Sequence, residues 1–120
     1  MYVKDRTDCK EITAIDNTRL RELLNPRLEP QLSIGYSLAE ARVKPGQETL
    51  PHRLETTEVY YVLEGSGEMR VEHECRSVTA GQAVFIPPRS VQSIKNTGRQ
   101  DLVFLCIVDP AWRAENEELA

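Results

Sequence analysis

Side chains that could carry out chemistry are concentrated between Pro45 and Gly67, a stretch rich in strand-forming residues. Within it, His52, Leu54 and Glu58 are separated by even numbers of residues. In an extended segment the side-chain period of two places all three on the same face of a sheet. An imidazole and a carboxylate on one inward face can bind a metal ion or contact a substrate. We therefore take His52 and Glu58 as candidate site residues.

The spacing of this stretch resembles a known family motif. Five residues separate Gly46 from His52, and one residue separates His52 from Leu54. Three residues then separate Leu54 from Glu58, and six separate Glu58 from Gly65. This pattern is similar to the first motif of the cupin superfamily, which usually carries His at the place of Leu54.

A second stretch resembles the second cupin motif. It contains Gly81, five residues, Pro87, and then Gln92 and Asn96. The family usually has His at the place of Gln92 and Gly at the place of Arg89. By both motifs the chain resembles a small single-domain cupin in which two of the four usual metal ligands are replaced.

The resemblance implies that His52, Leu54, Glu58 and Gln92 converge inside a barrel, near one mouth. Leu54 cannot coordinate a metal, so one imidazole, one carboxylate and one amide oxygen remain as donors. Three donors with open positions are typical of a catalytic metal rather than a closed structural one. The prediction is a divalent transition metal (zinc, manganese, iron or nickel) on His52, Glu58 and Gln92, with weakened or partial occupancy.

Each of these residues also has an ordinary structural alternative. His52 could be a hydrogen-bonded core histidine, Glu58 could pair with Arg53 or Arg42, and Gln92 could bond to backbone. One physical point favours the metal: burial in an apolar lumen would raise the pKa of Glu58, and a cation removes that cost.

Further residues are expected to face the same interior. Tyr60 shares the parity of Glu58, and its phenol could orient a substrate or donate a proton, so Glu58 and Tyr60 are the candidate catalytic residues. Phe104 and Cys106 share a face on the most apolar strand. The predicted lining consists of Tyr36, Leu54, Tyr60, Phe104 and Cys106.

The elements that must position these residues are short strands with turn residues about every ten positions, which predict a barrel or sandwich. The expected fold is all-β, a single cupin-type antiparallel β-barrel of jelly-roll type. Its core spans about 31–109, with an arm at 1–30 and a tail at 110–120. The run 31–43 reads as a long strand; either face could point inward, and we expect the small residues from Ser37 to Val43 to do so.

The arm and the tail give weaker patterns. The weak alternation of residues 1–16 suggests an edge strand, and the resemblance to cupins implies that such a strand can pair with a partner subunit. The spacing of Leu20, Leu23 and Leu24 predicts a short N-terminal helix over Arg19–Asn25. The acidic residues 113–120 suggest a loose helix, with Trp112 anchoring the tail to the barrel.

The whole sequence limits the function classes. Its 120 residues fit one domain, and a net charge of −4 with scattered basic residues argues against a nucleic-acid partner. No long apolar run exists, so neither a membrane span nor a signal peptide is expected, and the predicted location is the cytoplasm. Three unpaired cysteines do not describe a disulfide framework. A homodimer is expected from the unpaired barrel edge.

Two function hypotheses follow. The first is a small metalloenzyme that acts on a small organic molecule inside the barrel, by dioxygenase, isomerase or lyase chemistry. The second is a non-catalytic cupin that binds a small ligand as a sensor or store, with weak or no metal. The retained Glu58 and Tyr60 favour the enzyme, whereas the replaced ligands favour the binding module.

Overall fold

The computed structural model describes residues 1–120 and consists of two antiparallel sheets packed face to face. The six-stranded sheet has the order β1-β2-β3-β10-β5-β8, and the five-stranded sheet has the order β11-β4-β9-β6-β7. This confirms the all-β antiparallel barrel. The strands are β1 (Ile12–Thr13), β2 (Arg19–Leu24), β3 (Ser37–Val43), β4 (His52–Leu54), β5 (Thr57–Glu64), β6 (Ser66–Val71), β7 (Glu74–Thr79), β8 (Ala83–Ile86), β9 (Gln92–Asn96), β10 (Leu102–Asp109) and β11 (Glu117–Leu119).

Strand β3 shows how the sequence pattern sets the inward face. Burial alternates strictly along it, so every second side chain is enclosed. The enclosed side chains are the small ones, as expected, while Glu40 and Arg42 face outward and reach solvent. The inward residues are Ser37, Ala39, Ala41 and Val43.

The interior is divided along the length of β3 and β10, which pair from Leu102 opposite Val43 to Val108 opposite Ser37. At the Leu102 end, buried apolar side chains such as Leu102 and Val62 form the hydrophobic core. Burying each of these side chains stabilises the fold by about 1.5–3 kcal/mol. At the Ser37 end the inward residues of β3 are small, and a cavity remains there.

Gly65 forms the corner where the chain leaves β5 and enters β6 in the other sheet. Its φ of +86° lies in the left-handed region, and a Cβ there would lie 2.8 Å from the Asp101 carbonyl oxygen. Only glycine fits both conditions without a backbone shift. The glycine that closes the first motif therefore has a structural role.

Asn96, at the end of the second motif, also has a structural role. Its Nδ2 donates to the carbonyl oxygens of Val43 and Gln100, at 2.9 and 2.8 Å, and its Oδ1 accepts from the Gly98 amide at 2.8 Å. This buried amide fixes the turn between β9 and β10 and ties it to the end of β3.

Three local predictions are wrong. The segment Arg19–Asn25 is not a helix, because residues 19–24 form β2, which pairs with β3. The tail ends in a 3-10 turn and in β11, which pairs with β4, instead of a loose helix. The strand expected over 31–43 begins only at Ser37. Helical structure is limited to two three-residue 3-10 turns, Arg6–Asp8 and Ala114–Asn116.

Neither 3-10 turn has the length or the apolar character that a membrane-crossing helix needs.

All three cysteines are free: Cys9 and Cys106 are buried, and Cys75 is exposed on β7. His73 lies in the exposed turn between β6 and β7.

Candidate functional site

A cavity of about 310 Å³ occupies the Ser37 end of the barrel, between the two sheets. Strands β3, β4, β5 and β10 supply its walls. The arm covers one side of it with residues 12–16, and the tail covers another side with Trp112, Ala114 and Glu117. The site is therefore built jointly by the barrel and by the two chain ends.

Two of the lining residues, Glu58 and Tyr60, are joined through Gln92 in a hydrogen-bonded chain of three side chains. The Tyr60 hydroxyl donates to Gln92 Oε1 at 2.9 Å, and Gln92 Nε2 donates to Glu58 Oε1 at 2.9 Å. Both polar atoms of the fully buried Gln92 amide are thus satisfied within the chain. The second oxygen of Glu58, Oε2, makes no hydrogen bond to the protein.

Glu58 is 6% exposed, and its burial raises the pKa of the carboxyl to about 8. The Gln92 hydrogen bond lowers this pKa, while repulsion from Glu117 and Asp16 raises it further. Glu58 therefore holds a proton at neutral pH. Because Oε1 accepts from Gln92, we place that proton on Oε2. Burial also raises the pKa of Tyr60 well above its usual value, so Tyr60 stays a hydrogen-bond donor.

His52 lies on β4, opposite Gln92 of β9. Its Nδ1 is 2.9 Å from the Leu50 carbonyl oxygen, which can only accept, so Nδ1 carries the proton and Nε2 carries the lone pair. Glu117 Oε2 lies 3.9 Å from Nε2, which is too far for a hydrogen bond. The 2% exposed imidazole therefore offers one free acceptor.

The arm and the tail bring further carboxyl groups to the cavity. Asp16 accepts from the Thr18 amide and hydroxyl, at 3.1 and 2.7 Å, and lies 3.5 Å from His52 Nδ1. Burial raises the pKa of Glu117, although His52 and the Trp112 indole, which donates at 3.3 Å, oppose the shift. Burial also raises the pKa of Glu22, on β2, to about 7.

The three predicted metal ligands do not fit a divalent metal ion as they are arranged. Gln92 and Glu58 are hydrogen-bonded to each other, and the Gln92 oxygen already accepts from Tyr60. Only His52 Nε2 is a free nitrogen donor, and Leu54 supplies none. No group of three or more His, Cys, Asp or Glu side chains is arranged to hold a metal ion.

Most of the predicted lining faces the cavity. His52, Glu58, Tyr60, Phe104 and Cys106 contact it directly, and the rings of Tyr60 and Phe104 pack with centroids 4.4 Å apart. Burial raises the pKa of the Cys106 thiol well above its usual value, so this group is apolar lining rather than a reactive thiolate.

Two predicted lining residues lie elsewhere. Tyr36 is 42% exposed and outside the cavity, because it precedes β3 and Ser37 and Ala39 supply the lining of that strand. Leu54 is buried on the same face of β4 as His52, but it is not among the residues that line the cavity.

The carboxyl groups of Asp16, Glu22 and Glu117, together with Trp112, were not predicted as site residues. All four belong to the arm, to β2 or to the tail, which local patterns describe poorly. The alternation of Glu117 inward and Glu118 outward becomes informative only when β11 is known to pair with β4.

A larger open groove of about 850 Å³ lies beside β7 and β8. It is lined by the exposed Phe85 and by residues of the β6–β7 hairpin that include His73. None of the candidate site residues contacts this groove. We place the functional site in the smaller cavity, because the buried acid, imidazole and phenol meet there.

Two antiparallel sheets that enclose an interior site define an all-β barrel of double-sheet type. The sequence matches the family described as "Cupin domain" over residues 39–108. An uncharacterised protein of Methanocaldococcus jannaschii is 38% identical over 105 residues, which are 87% of this chain and 82% of that protein. This chain belongs to the cupin family.

Two further relatives carry the names of enzymes. The 5-nitrosalicylic acid 1,2-dioxygenase of Bradyrhizobium sp. is 32% identical over 87 residues, which are 72% of this chain but 40% of that protein. The solved structure of the polyketide cyclase RemF from Streptomyces resistomycificus superposes with a TM-score of 0.76 at 28% identity, covering 91% of this chain and 79% of that chain.

Proposed function

We propose that this chain binds a small, partly apolar organic molecule in the barrel cavity and catalyses proton transfer on it. The observation that carries the proposal is that two buried side chains, Glu58 and His52, line one cavity, and that Glu58 Oε2 and His52 Nε2 make no hydrogen bond within the chain. A bound molecule with a donor and an acceptor would satisfy both.

The two groups are suited to opposite roles. Glu58 is protonated at neutral pH and can give its proton, while His52 presents a lone pair and can accept one. Tyr60 and Gln92 are positioning residues, since their hydrogen bonds hold the Glu58 carboxyl in one orientation. An acid and a base that line one cavity support isomerase or lyase chemistry.

The metal-dependent form of this proposal has less support. A divalent zinc, manganese, iron or nickel ion on His52, Glu58 and Gln92 would require the Tyr60–Gln92–Glu58 hydrogen bonds to open. Dioxygenase chemistry, which the name of one relative suggests, would need such a centre. The non-catalytic alternative is supported by the same Tyr60–Gln92–Glu58 hydrogen bonds, because they also position these side chains for simple ligand binding.

Assembly and location form part of the proposal. Large apolar side chains are exposed on the outer face of β5 and β8, which supports a homodimer. Three free cysteines support the reducing environment of the cytoplasm.

The test is proton exchange with the solvent. The protein is incubated in D₂O with pools of small hydroxy, oxo and amino compounds, and NMR follows the loss of carbon-bound proton signals. Glu58→Gln and His52→Gln should each slow the reaction by at least about 100-fold. Glu118→Gln changes an outward-facing neighbour of the site and should leave the rate unchanged. Ligand binding without exchange or conversion in any pool would instead support the binding module.

A further inference from the structure

The cavity lining holds several carboxyl groups but no Lys or Arg side chain. Two arginines of the arm and of β2 have partners outside the cavity: Arg21 donates to the Cys9 carbonyl oxygen at 2.6 Å, and Arg6 forms a bidentate pair with Glu40. The four carboxyl groups are those of Asp16, Glu22, Glu58 and Glu117.

Several acceptor atoms of the lining lack a strong partner. His52 is 2% exposed, and its Nε2 lone pair has no hydrogen bond within the chain. Glu117 accepts only a 3.3 Å contact from Trp112, and its other oxygen lies 3.9 Å from His52. Glu22 has a single 3.4 Å contact from Asn25. Acceptor atoms left in this state favour a ligand that donates hydrogen bonds or carries positive charge.

The surface between the carboxyl groups is apolar and aromatic. Tyr60, Phe104 and Trp112 all line the cavity, together with aliphatic side chains such as Leu20 and Val108. Aromatic faces attract organic cations, most strongly where water is excluded. The carboxyl groups are spread around this surface and do not converge as metal ligands do. The lining therefore suits a cation with an apolar body better than a bare metal ion.

We infer that the cavity selects a small organic cation, such as an amine or a quaternary ammonium compound with an apolar body, and rejects carboxylates and phosphates. This inference rests on the proposed function only in that it places a small ligand in the same cavity. It adds the charge of that ligand, which neither the fold nor the acid–base pair determines.

The test compares three probes of nearly equal size: benzylammonium, benzyl alcohol and benzoate. Trp112 is the single tryptophan of the chain and lines the cavity, so its fluorescence reports occupancy. Benzylammonium should bind at least roughly tenfold more tightly than benzyl alcohol, and benzoate should bind the least. The protein is first treated with a chelator, and Zn²⁺ is titrated in a separate arm.

Two matched variants test the role of the carboxyl groups. Glu117→Gln removes an inward charge and should weaken benzylammonium binding roughly fivefold, whereas Glu118→Gln, one residue along on the outward face, should leave it within about twofold. Glu22→Gln replaces a second carboxyl group of the cavity lining, which lies on β2. Thermal unfolding of all variants confirms that they are folded.

Three outcomes would overturn the inference. If benzyl alcohol or benzoate binds as tightly as benzylammonium, the cavity does not select cations, although the proposed small-molecule site remains. If Zn²⁺ binds and excludes benzylammonium, the acidic lining serves a metal instead. If no probe changes the Trp112 signal at millimolar concentration, both the inference and the small-molecule site fail.

Discussion

At the scale of single residues, Gln92 determines the character of the site. It stands where cupins usually carry a histidine ligand, and its amide can both accept and donate. It uses both capacities, since it accepts from Tyr60 and donates to Glu58. An imidazole could not make the same two contacts in its neutral form while leaving a lone pair for a metal. The exchange of His for Gln turns a ligand position into a hydrogen-bond link.

Restoring the two missing imidazoles should create a metal site. Leu54 lies on the same buried face of β4 as His52, so Leu54→His combined with Gln92→His would supply three imidazoles beside Glu58. We expect this double variant to retain about one zinc ion per chain after dialysis. We expect the unmodified chain to retain none. Elemental analysis of both proteins measures the difference.

The control for this experiment is the same double variant with His52→Ala added, which should lose the zinc. A stoichiometric metal in the unmodified chain, purified without added metal, would show that the Tyr60–Gln92–Glu58 hydrogen bonds open to admit an ion. The site would then be a metal centre, as the sequence resemblance implies.

Glu22→Gln should remove part of the pH dependence of the folding stability. Burial raises the pKa of Glu22 from its ordinary 4.5 to about 7. Between about pH 4.5 and about pH 7, the folded chain holds a proton that the unfolded chain has released. The free energy of unfolding therefore falls as the pH rises through this range. The Glu22 carboxyl should lower the free energy of unfolding by roughly 2 kcal/mol over this pH range, a value reduced to allow for the partial exposure of the side chain.

Urea denaturation of the wild type and of Glu22→Gln, at about pH 5 and about pH 8, measures this effect. The variant should lose less stability between the two conditions. The exposed Glu118→Gln variant should follow the wild type. Parallel profiles for the wild type and Glu22→Gln would show that the Glu22 carboxyl is not perturbed by burial.

At the scale of elements, the turn between β8 and β9 shows a residue in an unfavourable backbone conformation. Arg89 has a φ of +63°, and its amide donates to the Leu54 carbonyl oxygen at 2.6 Å. This left-handed conformation disfavours any side chain with a Cβ, and the cupin motif usually places glycine here. Arg89→Gly should therefore raise the free energy of unfolding by up to about 1 kcal/mol.

Chemical denaturation measures the change, and Arg76→Gly is the matched control. Arg76 is also exposed but lies within strand β7, where glycine weakens the strand, so that variant should lose stability. A loss of stability in Arg89→Gly as well would indicate that the Arg89–Glu55 ion pair outweighs the relief of the backbone.

The same elements show which parts of the fold the sequence predicts. Strand β3 is recognisable because its alternation is complete from Ser37 to Val43, and His52 and Glu58 share a face because the period of two is geometric. Strand β2 is not recognisable, because the spacing of Leu20, Leu23 and Leu24 also suits a helix. Its conformation is set by pairing with the open edge of β3, which no local pattern reports.

The prediction of the site is limited in the same way, because local patterns do not report strand pairing. His52, Glu58 and Gln92 could be identified from parity and from motif spacing, all within the barrel core. Glu22 and Glu117 reach the cavity only through pairing between strands far apart in sequence. The charge of the cavity lining is therefore a property of the folded chain and not of the motifs.

At the scale of the whole molecule, the two sheets differ in their outer faces. On the six-stranded sheet, Tyr61 and Leu63 of β5 are each 40% exposed, and Phe85 of β8 is 63% exposed. Tyr61 pairs directly with Ala83, and Val59 pairs with Phe85, so these apolar side chains form one continuous outer surface. Strand β8 is also a free sheet edge, with unpaired backbone groups along one side.

This surface leads to the prediction of a homodimer. A two-fold axis beside β8 would cover the apolar face of one chain with the same face of a second copy. Light scattering should report twice the chain mass of 13.7 kDa at micromolar concentration. Phe85→Glu, which places a charge in that surface, should yield the monomer. Leu28→Glu changes a similarly exposed apolar residue outside this surface, 69% exposed, and should leave the dimer intact. If light scattering reports the mass of a single wild-type chain, the prediction of a homodimer is wrong.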